Sequence, residues 1–137
     1  MDYANIVQNI YGAFGRGDIP TILAQLHEDV DWEAWPDNSA QKAGVPWMQA
    51  RKGPAGALEF FKVVGTMKFH AFDVVSLMAG GNSVAAEVRL DVELTSGARF
   101  QEEEVHVWTF DDAGKLIRFR HYPQSRTQVS RQYGRGL

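Results

Sequence analysis

Residues 99–122, RFQEEEVHVWTFDDAGKLIRFRHY, contain the pattern that decides the fold. Two runs of alternating side chains, rich in valine and aromatic residues, flank a turn sequence at 111–114. The pattern predicts two antiparallel strands joined by a four-residue turn. Because side chains alternate along a strand, Glu104, His106 and Trp108 share one face of the first strand. That face either meets water or lines a pocket.

Upstream of this hairpin the chain alternates in the same way back to residue 68. Turn sequences at 80–82 and 96–97 divide the region, and the second is typical of a two-residue hairpin loop. The predicted strands of this half are 68–79, 83–94, 99–110 and 115–124. Before them, apolar residues at helical spacing predict two helices within residues 1–27, a short strand at 29–35 and a third helix at 54–64. Helices followed by antiparallel hairpins indicate an α+β fold.

Length and composition limit the classes of function. A chain of 137 residues fits one domain, residues 1–137. The net charge of -3 argues against a nucleic-acid or membrane partner, and the absence of cysteine excludes disulfides and thiolate metal sites. The N-terminus lacks the pattern of a signal peptide, and no apolar run is long enough to cross a membrane. We therefore expect a cytoplasmic protein.

The predicted turns set which side chains face each other on neighbouring strands. If 96–97 and 111–114 are the two loops, three rows of side chains cross one face of the sheet. The rows are Ala85–Trp108–Ile117, Glu87–His106–Phe119 and Arg89–Glu104–His121. One end of this face is apolar and the other is charged, which predicts a pocket with an apolar floor and a polar wall.

The opposite face of the same strands is apolar and leaves an alternative open. It carries Val84, Ala86, Val88, Val105 and Val107. In the alternative arrangement this valine face covers the core and the polar face meets water. If instead the valine face lies outside, it is an apolar patch large enough to predict a homodimer.

Three segments resemble a known family. They are GRGDIPTILAQLHEDVDW at 15–32, the helix that follows Gly53, and the closing pair VHVWTFDDAGKLIRFRHY at 105–122. They are similar to SnoaL-like, ketosteroid-isomerase-related proteins of the nuclear-transport-factor-like superfamily. The resemblance implies a cone, in which a strongly bent antiparallel sheet wraps around the N-terminal helices and the His106 face looks into the pocket. The family includes isomerases, cyclases, dehydratases, epoxide hydrolases and non-catalytic binders.

The chain departs from the residues that the resemblance implies for catalysis. The general base of ketosteroid isomerases falls at Ala34, or at Glu33 if the register slips by one residue. Their oxyanion-stabilising aspartate falls at His106, and their helix-one tyrosine falls near Ile10, with Tyr11 one position away. The catalytic carboxylate of epoxide-hydrolase members is likewise replaced by a histidine on the last strand. A ketosteroid isomerase mechanism is therefore not expected.

Histidine beside glutamate on a neighbouring strand is a general acid–base unit. The two predicted pairs are Glu87–His106 and Glu104–His121. Arg89 is expected to keep Glu104 ionised or to bind an anionic oxygen. The predicted catalytic residues are His106, Glu87, Glu104 and His121. The predicted substrate-binding residues are Trp32, Phe61, Arg89, Trp108 and Phe119.

We expect an acid–base enzyme of the isomerase, cyclase, dehydratase or epoxide-hydrolase kind that acts on an apolar ring or chain without a cofactor. The alternative is a non-catalytic carrier or accessory subunit for a small hydrophobic ligand. The four acid–base residues could also gather a metal ion, but they lack a tight ligand spacing, so no metal is expected. The long segment 36–53, with Trp47 and Met48, predicts a lid or rim over the mouth of the pocket.

Overall fold

A computed structural model describes residues 1–33 and 38–123 of the chain. The helices are α1 (Tyr3–Gly15), α2 (Ile19–Ala24), α3 (Ser39–Lys42) and α4 (Gly53–Val64), with a 3-10 turn at Pro46–Met48. The strands are β1 (Leu26–Trp32), β2 (Arg51–Lys52), β3 (Lys68–Gly80), β4 (Ser83–Glu93), β5 (Arg99–Phe110) and β6 (Leu116–Tyr122). They form one curved sheet in the order β2-β1-β6-β5-β4-β3. The predicted α+β cone is confirmed.

The N-terminal helices begin at aspartate caps and pack onto the sheet. Asp18 accepts a hydrogen bond from the backbone N–H of Thr21, with Pro20 in the first turn of α2. The buried stripe of α1 belongs to the same apolar cluster as Trp108 and Phe110 of β5. The helices therefore lie on the inner face of the sheet, which the resemblance implied.

The pairing of β4 with β5 differs from the prediction by one residue. Residues 95–97 form a three-residue loop, in which Leu94 donates to the carbonyl of Ala98 and Gly97 adopts a φ of 90°. A third loop residue shifts the register by one, and a one-residue shift moves every side chain of a strand to the other face. Ala86, rather than Glu87, therefore faces His106.

The pairing of β5 with β6 also shifts, but by two residues. Asp111 pairs with Lys115 around a three-residue loop, and a bulge follows near Phe110. His106 therefore faces His121, where Phe119 was predicted. Because a two-residue shift preserves the face, the inward orientation predicted for β5 and β6 is kept.

Other boundaries differ from the prediction in smaller ways. β1 begins at Leu26 and pairs in parallel with β6, so the sheet is not wholly antiparallel. Ala34, the strand end predicted at Trp35 and the end predicted at Gln124 lie outside the described residues. None of the helices within 1–33 and 38–123 has the length and apolar character needed to cross a membrane.

The predicted valine face is not a single surface. Val84, Ala86 and Val88 are buried on the inner face of β4, whereas Val105 and Val107 are half-buried on the outer face of β5. The valines of β4 thus cover the core, as in the alternative arrangement, while β5 turns its polar face inward. The five residues therefore do not form the single apolar patch from which the homodimer was predicted. The homodimer itself stays a prediction.

Candidate functional site

A cavity lies between the inner face of the sheet and helices α1, α2 and α4. Most of its wall is aromatic: Tyr11, Phe14, Trp32, Trp47, Phe60, Phe61, Phe69, Phe72, Phe100, Trp108 and Phe119. Its ionisable groups, besides the Tyr11 hydroxyl, are Glu102, Glu104, His106 and His121, all contributed by β5 and β6. The cavity therefore has an extended apolar wall and one polar end.

The structure places most predicted site residues in this cavity. Trp32 stacks on Phe119 with ring centroids 4.4 Å apart, and Trp108 lies 4.5 Å from Phe119. Phe61 packs against the edge of Trp32 at 5.4 Å. These four rings form an apolar floor next to His106, whose ring lies 5.4 Å from Phe119.

Glu87 and Arg89 do not belong to the cavity, and their predicted roles there are wrong. Both side chains are exposed on the outer face of the sheet because of the one-residue shift described above. Glu87 accepts a hydrogen bond from Ser76 at 2.6 Å, and Arg89 lies 3.4 Å from Glu103. Neither the Glu87–His106 pair nor the Arg89–Glu104 pair forms.

A continuous polar network joins helix α1 to the two central strands. The indole N–H of Trp108 donates to the Tyr11 hydroxyl at 3.1 Å, and that hydroxyl lies 2.6 Å from Nδ1 of His106. His106 Nε2 lies 3.0 Å from Oε1 of Glu104. The other oxygen of Glu104 lies 2.7 Å from Nε2 of His121. Glu104 therefore stands between the two histidines.

The neighbours of His106 fix the position of its proton. A carboxylate oxygen only accepts, so Nε2 of His106 must donate to Glu104. Nδ1 is then a free lone pair that accepts the hydroxyl proton of Tyr11. Burial lowers the pKa of His106 and outweighs Glu104, whose negative charge acts to raise it. Burial also raises the pKa of Tyr11, so its hydroxyl keeps its proton. His106 is thus a neutral imidazole that keeps a basic nitrogen toward Tyr11.

Glu104 and His121 form a buried ion pair. Burial alone would raise the pKa of Glu104, but His121 and the hydrogen bond from His106 outweigh it and hold this pKa below its usual range. Burial alone would lower the pKa of His121, but Glu104 and Glu33 raise it to about 9. The opposite charges therefore stabilise each other where water does not reach.

Glu33 lies behind His121, away from the cavity wall. It is fully buried, and its φ of 59° is the only positive value at a non-glycine residue between 1 and 33 or 38 and 123. Its Oε1 lies 3.7 Å from Nδ1 of His121, and burial raises the pKa of Glu33 to about 8. Strained backbone of this kind persists only where the surroundings hold it, and it is common near functional sites.

Sequence reasoning named Glu33 and Tyr11 only as positions one residue away from the expected ones. The signal for Tyr11 lies in α1, where this residue brings a polar atom to the apolar stripe formed with Val7 and Phe14. For Glu33 the sequence holds no comparable signal, because a left-handed residue at the end of a strand reverses the side-chain direction expected from alternation.

Glu104, His106 and His121 are also the group that could hold a metal ion among the described residues, with ligand atoms within 4.8 Å of one another. Histidine nitrogen and carboxylate oxygen suit zinc and other transition metals. His106 Nε2 donates a hydrogen bond to one oxygen of Glu104, whereas His121 Nε2 lies 2.7 Å from the other oxygen without completing a hydrogen bond. The three side chains thus already form one cluster around the carboxylate of Glu104.

The segment predicted as a lid contains α3, the 3-10 turn and β2. Trp47 lines the same cavity as His106 and His121, whereas Met48 is buried against the inner face of β4. Residues 36 and 37 lie outside the described part of the chain. A rim position for Trp47 agrees with the prediction, and closure over the cavity stays a prediction.

Comparisons with known structures give similar folds. TerC, co-crystallised with polyporic acid, is 26% identical over 90% of this chain and 92% of its own, with a TM-score of 0.68. An NTF2-like protein of unknown function from Burkholderia pseudomallei K96243 is 24% identical over 96% and 95%, with a TM-score of 0.73. SalBIII, an epoxide hydrolase/cyclase-like enzyme of pyran ring formation in salinomycin, is 20% identical over 91% and 92%, with a TM-score of 0.71.

No functionally curated protein matches the sequence. The family comparison, in contrast, covers most of the chain, from the first helix into the last strand: residues 7–119 match the SnoaL-like domain. The resemblance found in the sequence is therefore confirmed: this chain belongs to the SnoaL-like domain family, within the NTF2-like superfamily.

Proposed function

We propose that the protein is an acid–base enzyme that binds an apolar ring compound in the cavity and moves a proton on it. The observation that carries the proposal is the Glu104–His106–Tyr11 array at the polar end of a mostly aromatic cavity. Side chains of this chain supply each group that the proton transfer uses. Isomerisation, cyclisation, dehydration and epoxide opening all include such a transfer.

His106 acts as the base through Tyr11. The substrate gives its proton to the hydroxyl oxygen of Tyr11, while the proton of that hydroxyl moves to Nδ1 of His106. Glu104 keeps the Nε2 proton in place and stabilises the imidazolium that forms, the role a carboxylate has beside a catalytic histidine. The return of the proton to another atom of the substrate restores neutral His106 and completes the cycle.

The cavity wall supports a ring as the bound part of the substrate. Offset and edge-to-face contacts with aromatic rings favour a flat, apolar ligand. Two structural neighbours agree with this choice, since TerC was crystallised with polyporic acid and SalBIII is an enzyme of pyran ring formation.

A second candidate function is a carrier for a hydrophobic ligand. The largely apolar wall favours it, because binding alone needs no proton transfer. The same fold also carries a computationally designed 17-OHP binder, with a TM-score of 0.66. The two functions differ in one measurable respect, since only the enzyme exchanges protons with its ligand.

Deuterium incorporation separates the two functions. Ring compounds that bind are incubated in D₂O with the wild type, with His106→Asn and with His70→Asn as a control on the outer part of the sheet. We expect His106→Asn to lower the exchange rate by about 10²- to 10⁴-fold, with similar binding. Equal exchange by His106→Asn and the wild type would overturn the enzyme proposal, and the carrier function would replace it.

We also propose a cytoplasmic homodimer that contacts through the outer face of the sheet. Val75 and Met78 are exposed by 55% and 52% on edge strand β3, and Val105 and Val107 lie half-buried on β5. Sedimentation equilibrium at micromolar concentration is expected to give twice the mass of one chain. A single-chain mass would contradict the dimer.

A further inference from the structure

The donors of Trp108, Tyr11 and His106 at the polar end of the cavity each already have a protein acceptor. Trp108 donates to Tyr11, Tyr11 donates to Nδ1 of His106, and His106 donates to Glu104. The direction of this series follows from its ends, since an indole nitrogen only donates and a carboxylate only accepts. These residues therefore offer no N–H or O–H hydrogen to a ligand.

His121 does not supply the missing donor. Its Nε2 lies 2.7 Å from Glu104, and its Nδ1 faces Glu33, which lies outside the cavity wall. Nε2 is buried and completes no hydrogen bond, and the 3.7 Å between Nδ1 and Glu33 is longer than a hydrogen bond, so charge attraction turns the two ring nitrogens to the carboxyl groups of Glu104 and Glu33.

Acceptors, in contrast, remain. A carboxylate has about four lone-pair positions, and the contacts of Glu104 with the two histidines use two of them. The Tyr11 oxygen accepts one hydrogen bond and has room for a second. Around Glu104 and Tyr11 the cavity is therefore rich in acceptors and poor in donors. The indole N–H of Trp32, which has no protein acceptor, belongs to the apolar floor against Phe119.

From this balance we propose that the ligand is a ring compound that points a hydroxyl group at Glu104 and Tyr11. A ketone or carboxylate oxygen in that place would set its lone pairs against protein acceptors and lose the hydrogen bonds it makes in water. A hydroxyl group donates to the carboxylate instead. The inference names the substrate class of the proposed function and rests on the same cavity.

The test compares two probes with the same skeleton, 1-tetralol and 1-tetralone. Their dissociation constants are measured by calorimetry on the wild type. We expect the alcohol to bind at least about tenfold more tightly, since a hydrogen bond to a charged group exceeds a neutral one. Equal affinity, or tighter binding of the ketone, would overturn the proposal.

Two variants locate the effect. Glu104→Gln adds an amide N–H where the carboxylate stood, so the preference for the alcohol is expected to fall severalfold or to reverse. Glu87→Gln, the same change on the outer face, should keep the preference of the wild type. A preference unchanged in folded Glu104→Gln would contradict the assignment, and the wild-type comparison stands even if this variant fails to fold.

A third probe separates a hydroxyl from a cation, because the carboxylates would also attract an ammonium group. Tighter binding of 1-aminotetralin than of 1-tetralol would overturn the hydroxyl assignment. The result is distinct from failure of the proposed enzyme: alcohol binding without proton exchange leaves this inference intact. Failure of all three rings to bind up to their solubility would contradict the cavity as a ligand site, and with it both proposals.

Discussion

The hydroxyl of Tyr11 lies 2.6 Å from Nδ1 of His106, although 95 positions separate the two residues in the chain. Helix α1 and strand β5 thus share one proton-carrying contact. Tyr11→Phe should leave the aromatic packing intact while removing the hydroxyl that relays the proton. We expect proton exchange on a bound ring to fall by about 10²- to 10⁴-fold with little change in affinity.

The same variant should also cost about 1–3 kcal/mol of unfolding free energy, because the Trp108 N–H and the His106 Nδ1 lose their partners. Tyr3→Phe is a matched control, since the Tyr3 hydroxyl donates to the carbonyl of Asp111 away from the cavity. Denaturant unfolding measures the stability of both variants. Exchange by Tyr11→Phe at the rate of Tyr3→Phe would exclude Tyr11 from the relay.

Glu104→Gln should destabilise the fold more than any exposed carboxylate change. It leaves His121 without the opposite charge beside it, and breaking a buried ion pair from one side costs about 3–5 kcal/mol. Glu93→Gln is the control, because Glu93 lies 2.9 Å from His70 in an exposed pair, where the loss is about 1 kcal/mol or less. Equal unfolding free energies of the two variants would show that Glu104 and His121 are not a buried ion pair.

Stability should fall as the pH rises from about 6.5 to 9. The pKa of His121 is raised to about 9 and that of Glu33 to about 8, so both groups bind protons more tightly in the folded chain. Their stabilising contribution is complete below the unfolded pKa values and is lost as the pH passes the folded ones. For His121 this loss spans about 6.5 to 9, and for Glu33 about 4.5 to 8.

Denaturant unfolding at several pH values checks this dependence. Glutamine does not titrate, so Glu33→Gln should show a smaller loss of stability between pH 6.5 and 8 than the wild type. A wild-type stability that is flat or rising across this range would contradict the raised pKa values.

Gly97 should hold the register of the two strands that carry the site. Its φ of 90° is a conformation that side chains other than glycine rarely adopt, so Gly97→Ala should cost about 1 kcal/mol or more. Gly15→Ala is the control, because a Cβ there also meets open space but the φ is not positive. Equal unfolding free energies of Gly97→Ala and Gly15→Ala would show that the loop does not depend on the glycine at 97.

The sequence predicts the fold well because its signals are local. Alternation and turn residues define β5 within residues 99–110, and the prediction agrees with the structure at both ends. Asp18 marks the start of α2 through its cap. The inward face of β5 also follows from its pattern, since Glu104, His106 and Trp108 alternate with residues of the outer face.

The site is less predictable because it depends on loop lengths. Ser-Gly at 96–97 is compatible with a two- or a three-residue loop, and the third residue alone moves Glu87 and Arg89 out of the cavity. The partner of His106 is Glu104 on the same strand, a contact that cross-strand counting does not examine. Tyr11 joins the site only through the packing of α1 onto the sheet.

The proposed relay requires that His106 is a neutral base held between Glu104 and Tyr11. The ¹⁵N resonances of the histidine rings at pH 7, assigned with His106→Asn and His121→Asn, report where the protons lie. We expect a neutral His106 with its proton on Nε2, beside a His121 that carries a proton on both nitrogens. A His106 that is doubly protonated, or that carries its only proton on Nδ1, would show that His106 is not the base of this relay.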